Sequence, residues 1–323
     1  MEDAIMYTED VRKQYRDVVA LDGLDLVVPS HTVYGLLGPK GAGKSTTVRI
    51  LATLTRPSSG RAVVAGFDVA RNPTDVRKMI GLAGQDASFD DGLTGRENLQ
   101  ILGRLSRLGS RGARRRVDEL LERSGLAHTS DRLVGTYSDG IRRRIHLIAS
   151  LLRAPAVLFL DEPTIGLDAP SRAEIWESVR RLVTEGTTVL LTTPCLKEVE
   201  RLATAVGVIN GGQLIAEGSP AQLTARIGRH IDVVVESANQ VPSAMARLER
   251  LTGRRPEADG SRIVVAAVDQ APALPLIASE LDAAGAVIRN IGIREPGLDD
   301  VFLTMTGQTS EPAQPVEAPE AVS

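Results

Sequence analysis

Hydrophobic and polar positions divide this chain into stretches of different period. Residues 5–34 predict an antiparallel β opening: Met6-Tyr7-Thr8 and Leu24-Asp25-Leu26-Val27-Val28 alternate, with Val18-Val19-Ala20-Leu21-Asp22-Gly23 between them. Residues 33–37 are a short apolar strand, and Thr47-Val48-Arg49-Ile50-Leu51 starts a helix. Short strands are then predicted over 61–66 and 79–83, separated by a helical pattern around 73–78. From Leu93 to Leu152 the period turns helical. Leu99, Leu102, Leu105 and Leu108 form an apolar stripe, and Thr94 with Glu97 resembles a capping box. The run Ala156-Val157-Leu158-Phe159-Leu160 is continuously apolar, as in a strand covered on both faces of a parallel sheet. A second such strand, 187–192, follows a helix over 172–183. From about Arg226 the alternation restarts on a smaller scale, with strands over 231–235, 263–268 and 287–293 and helices over 243–251, 274–284 and 298–306. The expected class is α/β: a mostly parallel sheet covered by helices, with a small α+β domain after it. Residues 308–323, rich in Pro, Glu and Ala, are expected to be disordered.

Between the strand over 33–37 and the helix that follows stands Gly38-Pro39-Lys40-Gly41-Ala42-Gly43-Lys44-Ser45-Thr46, which fits G-x-x-x-x-G-K-[ST]. Glycines let such a loop wrap until successive backbone N–H groups point at phosphate oxygens, and the positive end of the next helix faces the same charge. Lys44 would reach the β- and γ-phosphates, and the Ser45 hydroxyl would ligate Mg²⁺. The alternative is a glycine-rich turn with no ligand, which the flanking strand and helix disfavour.

The apolar run 156–160 ends at Asp161-Glu162-Pro163. Adjacent acids at the end of a buried strand are costly without a ligand or a chemical role. Asp161 would hold the Mg²⁺ shell, and Glu162 would orient or deprotonate the attacking water. Gln85, after the strand over 79–83, is placed to reach Mg²⁺ or its water. Tyr15 is a candidate to stack on an adenine ring.

Composition removes other classes. At 323 residues, with 42% hydrophobic and 24% charged residues, the chain has an ordinary globular make-up and room for one large and one small domain. A net charge of −3 offers no electrostatic case for nucleic acid as a partner. The basic cluster over 111–116 reads as a solvated helix face. The single cysteine, Cys195, excludes an internal disulfide and a cysteine-rich metal site, so a reducing cytoplasm is expected. The opening Met1-Glu2-Asp3-Ala4 lacks a secretory pattern, and no apolar run approaches the ~20 residues that cross a bilayer.

The stretch Tyr137-Ser138-Asp139-Gly140-Ile141, opening a helix, resembles the L-S-G-G-Q signature of ABC ATPases in altered form. The order of aromatic, phosphate loop, Gln85, signature, acid pair and Gly166-Leu167-Asp168 is similar to that family over residues 5 to about 222. Asp91-Gly92-Leu93-Thr94-Gly95-Arg96-Glu97-Asn98-Leu99, Arg142-Arg143-Arg144 and Leu298-Asp299-Asp300-Val301-Phe302-Leu303 resemble the antibiotic-export subunits of the daunorubicin-resistance type. The resemblance implies an ABC-type P-loop NTPase domain over 1–222 with an antiparallel β subdomain and a helical insert at about 86–153. It also implies an accessory α+β domain over 223–307. It implies ATP and Mg²⁺ as ligands, and closure of two nucleotide-binding domains, in a homodimer, around ATP. The loop residues Gly38 to Thr46 of one copy would then face Ser138, Asp139 and Gly140 of the other, with Asp168 communicating between sites. A separate transmembrane permease would carry the substrate, placing this chain peripherally on the cytoplasmic face of the membrane. Non-transport ABC proteins of ribosomes or DNA have tandem domains or long coiled coils, which this chain lacks.

Three positions depart from the family pattern. Lys40 stands where Asn or Ser is usual, Asp139 where Gly is usual, and Pro194 where His, or Gln in this subgroup, follows Thr192-Thr193. An Asp at a helix start favours the isolated subunit by about 0.5–2 kcal/mol. Facing a γ-phosphate ~4 Å away it repels by roughly 1–4 kcal/mol. Lys40 could pair with it across a dimer. Proline offers neither N–H nor polar side chain, so Pro194 cannot replace the lost contact to phosphate and water. Two functions therefore stay open: a working transport ATPase, and a weakly or non-hydrolysing ATP-binding subunit that supports a partner.

Overall fold

The computed structural model describes residues 4–84, 89–227, 229–266 and 273–306. Gln85 and the tail over 308–323 lie outside the described residues. The chain forms two compact units, one running to Pro220 and one beginning at Ala221.

In the first unit six strands lie in the order Gln213–Gly218, Ala205–Asn210, Val33–Leu37, Thr188–Thr192, Val157–Asp161 and Ile80–Ala83. Every neighbouring pair is parallel except the first, a hairpin turned at Gly211-Gly212. Side-chain parity splits the sheet's residues between two cores. Leu158, Leu160, Val189 and Leu191 face a core shared with Leu99, Val117, Leu121, Ile145 and Ile148 of the helical insert. Val157, Phe159 and Leu190 face the opposite core, with Leu36, Val48, Leu51 and the β opening's Met6, Leu21, Leu24 and Leu26. Each such fully buried side chain is worth about 1.5–3 kcal/mol relative to exposure, and together they fix the strand ends that carry the site.

The β opening is a second, antiparallel sheet, ordered Val18–Pro29, Ala4–Tyr15, Ser59–Val64 and Phe67–Asp68. The insert contains the helices Gly95–Leu105, Gly109–Arg123 and Asp139–Ser150. The capping box forms: the Glu97 N–H donates to Thr94 Oγ1 at 3.2 Å, and the Thr94 N–H donates to Glu97 Oε2 at 2.8 Å. The leucine stripe is interrupted. Leu99 is buried and Leu102 and Leu108 pack on the core, but Leu105 is 74% exposed. A three-residue step falls about 60° short of a full turn, so a strict i, i+3 series rotates out of the core.

In the second unit an antiparallel sheet, ordered Glu257–Asp259, Arg262–Ala266, His230–Val235 and Ile288–Arg294, packs Ile231, Val233 and Val235 against the helices Val241–Thr252 and Leu274–Ala283. The phrase Leu298-Asp299-Asp300-Val301-Phe302-Leu303 has a structural part here. Leu298, Val301 and Phe302 are buried, while Asp300 accepts both guanidinium nitrogens of Arg294 at 2.7 and 2.8 Å and the Gly297 N–H at 2.8 Å. No helix among the described residues is long and apolar enough to cross a membrane.

Candidate functional site: phosphate loop and acid pair

The loop between Val33–Leu37 and the helix Lys44–Leu51 is held from outside by backbone. The Gly212 N–H donates to the Ala42 carbonyl at 3.1 Å, and the Ala42 N–H donates to the Pro39 carbonyl at 3.1 Å. Glycine is needed at both ends. A Cβ on Gly38 would lie 2.3 Å from the Ile209 carbonyl oxygen; on Gly43, at φ +109°, it would lie 2.6 Å from that of Ala20. Lys44 is buried, and its ammonium donates to the carbonyls of Gly38 at 2.7 Å and Pro39 at 3.0 Å, holding the loop curled over itself. Lys40, Gly41 and Ser45 are exposed, Thr46 is half-buried, and Ala42 packs inward.

The acids reach this loop through the sheet. Val157–Asp161 lies beside Thr188–Thr192, which lies beside Val33–Leu37, so the strand ends meet at one edge. Ser45 Oγ donates to Asp161 Oδ1 at 3.2 Å, and Thr192 Oγ1 donates to the same oxygen. Glu162 follows at φ +52°, its N–H donating to the Thr192 carbonyl at 2.9 Å. A non-glycine residue in the left-handed region is uncommon, and such conformations concentrate at functional sites. The oxygens of Ser45 and Asp161 suit Mg²⁺, which prefers hydroxyl, carboxylate and water ligands. Thr192, which sequence reasoning did not single out, closes this oxygen cluster from the neighbouring strand.

The signature segment and Asp168 are tied to one another. Ser138, not Asp139, is the N-cap of Asp139–Ser150, its hydroxyl accepting from the Ile141 N–H at 3.4 Å. Asp139 is the exposed first helical residue, so it acts through the helix dipole rather than as the cap. Gly140 is buried where a Cβ would meet Ser171 Oγ at 2.4 Å. Ser171 lies in the helix Ala169–Thr184, whose N-cap is Asp168; its carboxylate accepts the Ser171 N–H at 3.0 Å and is held below the usual carboxylate range by those Ser171 bonds. Tyr137 donates its hydroxyl to the Thr129 carbonyl at 3.0 Å and packs where Gly95 leaves room. Tyr15 is 40% exposed at the end of its strand, with the Lys13 ammonium 4.9 Å from its ring centroid.

A curled glycine loop, a buried lysine and a hydroxyl meeting a carboxylate at neighbouring strand ends make an arrangement suited to phosphate and a divalent cation. The family described as ABC transporter matches residues 21–165. The Streptomyces coeruleorubidus daunorubicin resistance ATP-binding protein DrrA2 is 51% identical over 313 residues, 96% of this chain and 97% of that protein. The chain belongs to the ABC transporter ATP-binding family. DrrA of Streptomyces peucetius, named a daunorubicin/doxorubicin resistance ATP-binding protein, is 43% identical over 97% of this chain and 96% of its own. The Nod factor export ATP-binding protein I of Ralstonia nicotianae is 37% identical over 94% of each. Among solved ABC structures, a Clostridium perfringens subunit described as part of an ABC transporter complex is 28% identical. It covers 69% of this chain and 91% of its own, with TM-score 0.63. An ATP-binding cassette solved in its ADP conformation is 26% identical over 68% and 92%, with TM-score 0.61. In this ABC domain Pro194 is half-buried between the buried Thr193 and the helix Leu196–Leu202, directly beyond the strand that bonds Asp161.

Proposed function

We propose that this chain is the ATP-binding and ATP-hydrolysing subunit of an exporter for a drug-like or antibiotic small molecule. It works at the cytoplasmic face of the membrane with a separate permease and a second copy of itself, and with no nucleic acid. The substrate class rests on the names of the daunorubicin-resistance relatives and on the 51% identity to one of them along nearly the whole length. The observation that carries hydrolysis is the meeting of Ser45 and Asp161 beside a retained Glu162. Lys44 would exchange its loop carbonyls for phosphate oxygens, Gly41 to Thr46 would present N–H groups, and Ser45 and Asp161 would hold Mg²⁺, which neutralises charge on the transferred phosphoryl group. Glu162 would take the proton of the attacking water, with Gln85 ordering that water.

The test is steady-state ATP hydrolysis by the purified protein beside Glu162→Gln. Turnover falling by about 10²–10⁴-fold, with nucleotide binding retained, is expected for loss of a general base. Equal rates in the two proteins, with the permease present, would leave the second reading: an ATP-binding subunit that supports a partner without turning over. The observation favouring that reading is Pro194, which brings no polar group to the strand end.

A further inference from the structure

Glu198 is fully buried, in the helix Leu196–Leu202 that follows Pro194. Ionisable carboxyls are almost never fully buried without a specific partner. Here the partners are neutral donors from two other segments. Thr164 Oγ1, two residues beyond Glu162, donates to Glu198 Oε1 at 3.0 Å, and Trp176 Nε1 donates to the same oxygen at 3.1 Å. The Thr193 hydroxyl, which accepts the Cys195 N–H at 3.0 Å, also favours the ionised form of the carboxyl. Oε2 has no hydrogen-bond partner among the described residues. Burial accordingly pushes this carboxyl above the ordinary glutamate range.

These contacts close a ring around the acid pair. Asp161 is fixed by Ser45 and Thr192, the Glu162 N–H by the Thr192 carbonyl, and Thr164 by Glu198. Glu198 in turn belongs to the helix reached through Thr193, Pro194 and Cys195. We propose that Glu198 is the positioning residue that ties the Glu162 turn to the Pro194 segment, so that the water-activating carboxylate is aligned without help from the side chain at position 194. This rests on the hydrolytic reading above. The Pro194 side chain has no group that can hydrogen-bond water or phosphate, so the orientation of Glu162 falls to its neighbours. Within two residues of it, Thr164 donates to the buried Glu198, which also accepts from Trp176. A displacement of about 1 Å at such a group can cost on the order of 10²-fold in rate.

The experiment uses the full chain and three variants. Glu198→Leu removes the acceptor; Thr164→Val removes one donor with little change of shape; Glu198→Gln keeps a carbonyl oxygen that accepts from both Thr164 and Trp176. Positioning predicts that kcat falls at least about tenfold in Glu198→Leu and Thr164→Val while Kd for Mg·ATP stays within about twofold, and that Glu198→Gln restores most of it. If Glu198→Leu does not fold, Thr164→Val against Glu198→Gln decides. An unchanged kcat overturns the proposal, and so does a fall in kcat and affinity together with no rescue by Gln.

Trp176, the chain's only tryptophan, gives a readout independent of turnover because its indole N–H binds Glu198. If the parent protein shows no hydrolysis beyond Glu162→Gln, the hydrolytic reading fails and this arm judges the tie alone. A Mg·ATP-dependent change in Trp176 emission, lost in Thr164→Val and kept in Glu198→Gln, supports it. No change in the parent protein, or the same change in all variants, overturns it.

Discussion

His146 shows how one residue's surroundings set a property of the protein. It lies buried on Asp139–Ser150 against Phe89, ring centroids 4.4 Å apart, and neither ring nitrogen has a partner among the described residues. Burial, with Arg143 and Arg142 adding repulsion, pushes its pKa down to about 4. In the unfolded chain an ordinary histidine titrates near 6.5. The unfolded state therefore binds the extra proton between those values, and stability falls as pH drops from about 6.5 toward 4. Urea midpoints at pH 7 and pH 5 should show that fall in the natural protein and a shallower one in His146→Leu. Equal slopes would place the proton uptake elsewhere.

At the scale of the element, the entry to Gly95–Leu105 is set by a few local bonds. The Thr94 hydroxyl satisfies one helix N–H, and the Glu97 carboxylate returns to the Thr94 N–H and hydroxyl. Those bonds hold the Glu97 pKa below the ordinary range. Its contribution is thus complete above the unfolded glutamate pKa and is lost as pH falls through the lower folded value. Thr94→Ala should cost about 0.5–2 kcal/mol in a denaturant titration at neutral pH. The helix also carries Arg96, whose guanidinium bonds Asp131, Asp118 and the Ala127 carbonyl, so it braces the insert that presents the signature segment. Leu105, exposed on its last turn, is apolar surface left over from the core.

At the scale of the whole molecule, two exposed charges bear on pairing. Lys40 and Asp139 are both exposed, one on the phosphate loop and one at the start of the signature helix. We propose that, when two copies close head to tail, Lys40 pairs with Asp139 of the other copy. Reverting each residue separately and together, and measuring ATP-driven dimerisation, should give a coupling of at least ~0.5 kcal/mol. Additive effects would mean two unrelated changes.

The phosphate loop, the acid pair and the capping box were legible as sequence because each is local. A glycine pattern between strand and helix, two acids ending an apolar run, and a threonine three residues before a glutamate carry their geometry in their spacing. The alternation also gave the two-unit order of strands and helices. It did not single out Ala205–Asn210, which lies beside Val33–Leu37 in the sheet, nor the edge strand Glu257–Asp259. Short strands are specified by what they pair with, not by their own pattern. Thr192 and Glu198 belong to the same class. A threonine ending an apolar strand and a glutamate on a short charged helix look ordinary until the sheet brings residues 161 and 192 side by side and buries 198 under Thr164 and Trp176. Local spacing marked out the residues proposed to handle phosphate and water. Only long-range packing decided which neighbours hold them in place, because a buried polar contact between residues 34 positions apart leaves no period in the chain.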